Sequence, residues 1–199
     1  MPPATFTAFL GTRRLAAGTL QQVALAVRLA QHRDPHAMPL VFADATGRQT
    51  DLDTRGSEAD VASRYAPAVP VRENEPVARG RGRPRLGVVA REVTLLPEHW
   101  DWLAAQPGGA SVALRKLVHE ARRAGAPRDR ERRAQDRAYH FMAAVGGNLP
   151  GYEEAGRALF AGDRERLAGL IAEWPQDIRQ HALHLADPDF DPTPSRTSP

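Results

Sequence analysis

The sequence predicts an α+β chain with a small N-terminal ββαββα module, a central strand–helix–helix unit and a C-terminal bundle of short helices. Three observations carry this reading. Alternating apolar and polar residues with tight turns mark four short strands before residue 54. The segment from Ala66 to Gly87 keeps no apolar period. Beyond residue 128 the apolar residues recur at helical spacing, with no further strand signal.

In the first module, Phe6 and Ala8 alternate with Thr7 and Phe9 in a strand over Thr5–Leu10. Gly11-Thr12 turns the chain into a second strand near Arg13–Ala16. Thr19 caps a helix whose Leu20, Val23, Ala24 and Val27 form one stripe, ending near Arg33-Asp34-Pro35. Leu40-Val41-Phe42 reads as a buried strand, 45–48 as a turn and Gln49–Asp53 as the returning strand. Ser57-x-x-Asp60 forms a capping box for a short helix to Tyr65. Asp44, Asp51 and Asp53 lie near one hairpin and read as solvated turn residues rather than a cation site.

Residues 66–87 form a linker, with proline at 67, 70, 76 and 84 favouring an extended chain. A unit over 88–125 follows. Val93 and Leu95 alternate with Glu92 and Thr94, Pro97 opens a helix carrying Trp100, Leu103 and Ala104, and Pro107-Gly108-Gly109 ends it. Ser111 caps a second helix with Leu114, Leu117, Val118 and Ala121 at i, i+3, i+4 and i+7. Gly125 and Pro127 are expected to end that helix. The run Arg122–Arg137 mixes signs at close spacing, such as Asp129 with Arg132 or Arg133, and reads as a solvated face. Over 129–186 short helices carry Tyr139, Phe141, Met142 and Val145, then Leu159-Phe160, then Leu167, Leu170 and Ile171, then Ile178, Ala182 and Leu185. Residues 187–199, rich in Pro, Asp, Ser and Thr, read as a disordered tail.

The 199 residues include no cysteine, which excludes disulfides and thiolate metal sites, and the net charge is +3 with a pI near 9.9. Lys116 is the only lysine, so arginine reflects composition as much as phosphate recognition. There is neither a signal-peptide pattern nor an apolar run of membrane-spanning length, so a cytoplasmic protein is expected, with no membrane partner. His140, Glu153, Glu154, His181 and His184 match neither a Glu-x-x-His pair nor a His-Glu-x-x-His helix. Ser57, Ser63 and Ser111 lack a nucleophile elbow. No catalytic residue, metal or cofactor is therefore expected.

The central segment, with its strand Arg91–Leu95, Pro97-opened helix and Gly109–Val118 turn and helix, resembles the ribbon-helix-helix family of bacterial repressors. That resemblance implies a homodimer whose paired strands lie in the DNA major groove. Its core would be Val93, Leu95, Trp100, Leu103, Leu114, Leu117 and Val118. DNA contacts would come from Arg91, Glu92, Val93 and Thr94 on the ribbon and from the helix N-terminus at Ser111. The chain departs from the family in one respect: the outward strand positions are Leu95 and Val93, or Thr94 and Glu92, and neither register is basic. Arg81-Gly82-Arg83-Pro84 is similar to the AT-hook core, which implies minor-groove contacts by Arg79, Arg81, Arg83 and Arg85. Over its full length the chain also resembles a bacterial domain-of-unknown-function family, through Leu40–Arg48, Val93–Leu103 and Phe160–Asp163.

The function expected is that of a non-enzymatic DNA-binding regulator acting as a homodimer. Two alternatives stay open: a dimeric, antitoxin-like adaptor whose flanking domains bind a protein partner, and a small-ligand-binding protein.

Overall fold

Strands β1 (Phe6–Leu10), β2 (Arg13–Gly18), β3 (Leu40–Ala43) and β4 (Arg48–Gln49) form one antiparallel sheet in the order β2-β1-β3-β4. The structure is a computed structural model that describes residues 5–67, 89 and 91–190. Helices α1 (Leu20–Arg33) and α2 (Glu58–Arg64) complete a ββαββα order at the N-terminal end. Both begin with a complete capping box, Thr19 with Gln22 and Ser57 with Asp60. The returning strand β4 is shorter than its alternation suggests, because the chain leaves the ladder after Thr50 donates to the Val41 carbonyl at 2.8 Å.

Helices α3 (Pro97–Ala104), α4 (Gly109–Val145), α5 (Tyr152–Phe160), α6 (Arg164–Leu170) and α7 (Gln176–Leu185) follow. Among the described residues the protein is thus mixed α+β, with four strands and seven helices. None of these helices is long and apolar enough to cross a membrane. The chain divides into two compact units: Met1–Ala68 with Pro127–Pro199, and Val69–Ala126.

The larger unit corrects the expected split between a module ending at 65 and a bundle starting at 129. Both faces of the sheet are apolar. Ala8 and Val41 turn to one side, where Val23 and Val27 of α1 cover them. Phe9 and Phe42 turn to the other and join Phe141, Met142, Leu159, Leu167, Ile171, Trp174, Ile178 and Leu185. Each buried aromatic or aliphatic side chain contributes about 1.5–3 kcal/mol, so neither layer would leave the sheet face uncovered. The result is three layers, α1, the sheet and the C-terminal helices, with one apolar cluster on each face of the sheet.

The β3–β4 hairpin is fixed to α4 by its tip. Gly47 is buried with φ +65°, and a Cβ there would stand 1.8 Å from the Arg137 carbonyl oxygen. Only glycine meets both demands. His140 lies 3.0 Å from the Thr46 carbonyl through Nδ1 and 3.0 Å from Arg48 Nη2 through Nε2. A guanidinium only donates, so Nε2 accepts and Nδ1–H donates to the Thr46 carbonyl.

Three further expectations are corrected. The helix expected to stop at Gly125 and Pro127 continues as one 37-residue helix with Pro127 inside. Proline costs about 3 kcal/mol in a helix interior. Here it is flanked on both sides by Ala-, Arg- and Glu-rich sequence of high helix propensity. This helix starts at Gly109, so Ser111 lies within its first turn rather than at the cap. Residues 187–190, expected in the tail, pack instead: the Phe190 ring is 3.8 Å from that of His184, and the Asp187 carbonyl accepts from Arg137. The expected Asp129–Arg132 pair is present at 3.0 Å.

Candidate nucleic-acid and dimer interface

The smaller unit is built from α3 and the N-terminal part of α4. Leu96, extended at φ −65° and ψ 151°, leads into Pro97 at the first turn of α3, and Glu98 sits beside the positive end of the helix dipole. The chain then turns through Gly108 (φ +87°) and Gly109 (φ +74°) into α4. Leu103 is the one large side chain this pair buries well, at 3% exposure. Leu95, His99, Trp102, Leu103, Leu114 and Leu117 line a shallow apolar cleft of about 240 Å³ between the two helices.

Most of the remaining apolar surface is uncovered. Val93, Leu96, Trp100, Trp102, Leu117 and Val118 are each 40–56% exposed. A tryptophan offers about 150–250 Å² for burial, so covering the exposed half of one contributes roughly 2 kcal/mol at about 25 cal/mol per Å². Scattered exposed leucines are ordinary. Six large apolar residues, two on the segment before α3 and four on α3 and the start of α4, form an exposed apolar patch.

Of the sequence-derived core set, Leu103 is buried, Leu95 and Leu114 are half-buried, and Val93, Trp100, Leu117 and Val118 are exposed in the single chain. Trp102, Leu96 and His99 belong to the same surface and were not singled out from the sequence. Trp102 falls off the stripe that Trp100, Leu103 and Ala104 define, so helical periodicity passes over it.

Arg91–Leu96 have no regular secondary structure, which corrects the expected strand for the isolated chain: among the described residues no neighbouring strand receives their backbone groups. Arg91, Glu92, Thr94 and Ser111 are exposed. Arg79, Arg81, Arg83 and Arg85 lie outside the described residues. Charge is unevenly distributed. Val69–Ala126 carries ten Arg and Lys against six Asp and Glu, whereas the rest of the chain carries 17 against 18. On α4, Arg115, Lys116, Arg122 and Arg123 are all exposed.

His140 is engaged by Arg48 and Thr46, and Glu154 pairs with Arg157 and, at 3.7 Å, with Arg166. Asp53 holds Arg55 at 2.9 Å and Arg64 at 3.9 Å, which draws its carboxylate down to about 2, mainly through the Arg55 hydrogen bond. Among the described residues no three His, Asp or Glu side chains converge as metal ligands.

One titratable pair lies in the core. Asp44 Oδ1 is 3.6 Å from His181 Nε2, their side chains are 7% and 3% exposed, and neither atom has a hydrogen-bond partner. Burial raises the Asp44 carboxyl, against hydrogen bonds from Thr5 and Thr7, and lowers His181 to about 3. Phe9 and Phe141 pack against the imidazole at ring distances of 5.4 and 4.7 Å.

Residues 5–186 match a family described as an uncharacterized protein conserved in bacteria (DUF2239). The chain belongs to the DUF2239 family. The match runs from the residue before β1 to the one after α7, so the α3–α4 unit lies within the DUF2239 extent. No curated protein and no solved structure matches this DUF2239 chain.

Proposed function

We propose that this protein is a non-enzymatic, homodimeric DNA-binding protein and acts as a transcriptional regulator. The observation that carries the reading is the α3–α4 unit, which leaves Trp100, Trp102, Leu117 and Val118 exposed and follows directly on the basic segment that holds Arg79, Arg81, Arg83 and Arg85. A second copy covers the apolar residues and gives Arg91–Leu95 a strand partner, which they do not have among the described residues of one chain. Paired in that way, the segment has ribbon-helix-helix geometry. The ribbon enters the major groove, and the first turn of α4, which contains Ser111, faces phosphate. The linker arginines Arg79, Arg81, Arg83 and Arg85 add phosphate or minor-groove contacts in the manner of an AT-hook.

Fluorescence anisotropy against mixed and A·T-rich duplexes tests this. With four phosphate contacts per dimer, the log–log salt slope is about −3.6, or roughly a 150-fold loss of affinity between ~50 and ~200 mM salt. Arg81→Ala with Arg83→Ala is expected to weaken binding and flatten the slope while leaving the thermal melt unchanged. Absence of binding at low salt would refute the DNA reading. The adaptor reading would then stand, and the non-basic Glu92 and Thr94 are the observation that favours it.

A further inference from the structure

Arg130, Arg133 and Arg137 fall at i, i+3 and i+7 of α4 and so share one face. With Ala45, Pro188, Asp189 and Phe190 they line a cavity of about 580 Å³ in the larger unit. Arg137 forms its floor at 5% exposure. Its Nε donates to the Leu185 carbonyl at 2.6 Å, its Nη2 donates to the Asp187 carbonyl, and the Phe190 ring centroid lies 5.1 Å from its Cζ. Among the described residues, only two of its five N–H groups are used in this way.

A buried guanidinium normally has a carboxylate against it, because carbonyl dipoles alone leave its charge uncompensated. Here the nearby carboxylates are engaged elsewhere. Asp187 Oδ1 pairs with Arg164 at 3.2 Å, and Asp189 Oδ1 pairs with Arg130 at 3.8 Å. Arg133 makes no ion pair among the described residues. Burial pushes the Arg137 pKa down, Asp187 partly opposes this, and the like charge of Arg133 pushes it down further. Among the described residues the lining therefore holds three guanidiniums against one carboxylate, an excess of two positive charges.

We propose that this cavity binds a small phosphorylated molecule. The dianion matches the excess charge, with Arg130 and Arg133 gripping the phosphoryl oxygens above Arg137. The cavity is far larger than one phosphate, and Ala45, Pro188 and Phe190 give the rest of the ligand an apolar wall. Asp189 is 87% exposed and weakly held, and it occupies Arg130 until the ligand arrives.

Isothermal titration of the full chain in low-chloride buffer, with inorganic phosphate and with phenyl phosphate, tests the proposal independently of DNA binding. Phenyl phosphate is expected to bind several-fold more tightly than phosphate, because its ring reaches the apolar wall. Arg133→Ala, at an exposed position, should weaken both by about tenfold or more. Asp189→Asn should tighten both by a few-fold, since it removes the competing carboxylate, an effect that a purely structural role would not produce. Absence of heat from either compound at millimolar concentration overturns the proposal. So do affinities indifferent to Arg133→Ala and Asp189→Asn. If Arg133→Ala weakens a DNA duplex and leaves the two phosphates unaffected, these arginines serve the DNA backbone and the cavity assignment falls.

Discussion

Phe141→Ala is expected to destabilise the larger unit by about 3–5 kcal/mol, a large share of the roughly 5–15 kcal/mol that holds a domain folded. Phe141 is fully buried and touches Phe9 at 5.3 Å, Phe42 at 5.0 Å and His181 at 4.7 Å between ring centroids. It therefore joins the sheet to the helices, and its removal leaves a cavity bounded by both. Hydrogen exchange followed by mass spectrometry reads the consequence. Peptides from β1 and from α7 should both exchange about a hundredfold faster or more, by the same factor, because one cooperative core has lost stability. Acceleration confined to the helical peptides would mean that the sheet and the C-terminal helices fold as separate domains.

The second large effect is in acid. The folded protein keeps His181 neutral down to about pH 3, whereas an unfolded histidine takes its proton near pH 6.5. Between those values the unfolded state binds more protons, so the His181 contribution to stability is complete above pH 6.5 and falls as pH drops. The loss amounts to roughly 3 kcal/mol by pH 4. Asp44 works in the opposite direction: burial raises its pKa, so the folded state takes that proton first and gains stability as pH falls through the raised value. His184, whose pKa burial also lowers, adds to the loss.

His181→Leu separates these contributions, since leucine is of similar size, suits the Phe9 and Phe141 surroundings and does not titrate. Urea melts at pH 7 and pH 4 should show wild type losing roughly 3 kcal/mol relative to the variant. A difference independent of pH would mean that His181 titrates alike in folded and unfolded chains.

What was legible in the sequence was chemistry confined to a few neighbouring residues. Thr19, Ser57 with Asp60, and Pro97 each satisfy or pre-set the backbone within one turn, so the starts of α1, α2 and α3 could be read directly. The joined core was not legible. Alternation shows that Phe9 and Ala8 face opposite ways, but it does not say which distant segment covers each face. The continuity of α4 through Pro127 escaped for a related reason. A local penalty is visible at one residue, whereas the helix propensity that outweighs it is spread along the chain. At the candidate interface the 3.6-residue period found Trp100, Leu103, Leu114, Leu117 and Val118. It missed Trp102, which lies off the stripe and belongs to the surface only because the α3–α4 pair is too small to bury it.

That uncovered α3–α4 surface carries the functional account, and sedimentation equilibrium of the full chain tests it most directly. The 21.8 kDa chain should sediment at twice its mass at about 50 µM. Leu117→Glu with Val118→Glu should return it to monomer mass, with the hydrogen-exchange pattern of the larger unit unchanged. A wild-type chain that stays monomeric at that concentration, indistinguishable from the double variant, would contradict the homodimer and with it the paired ribbon.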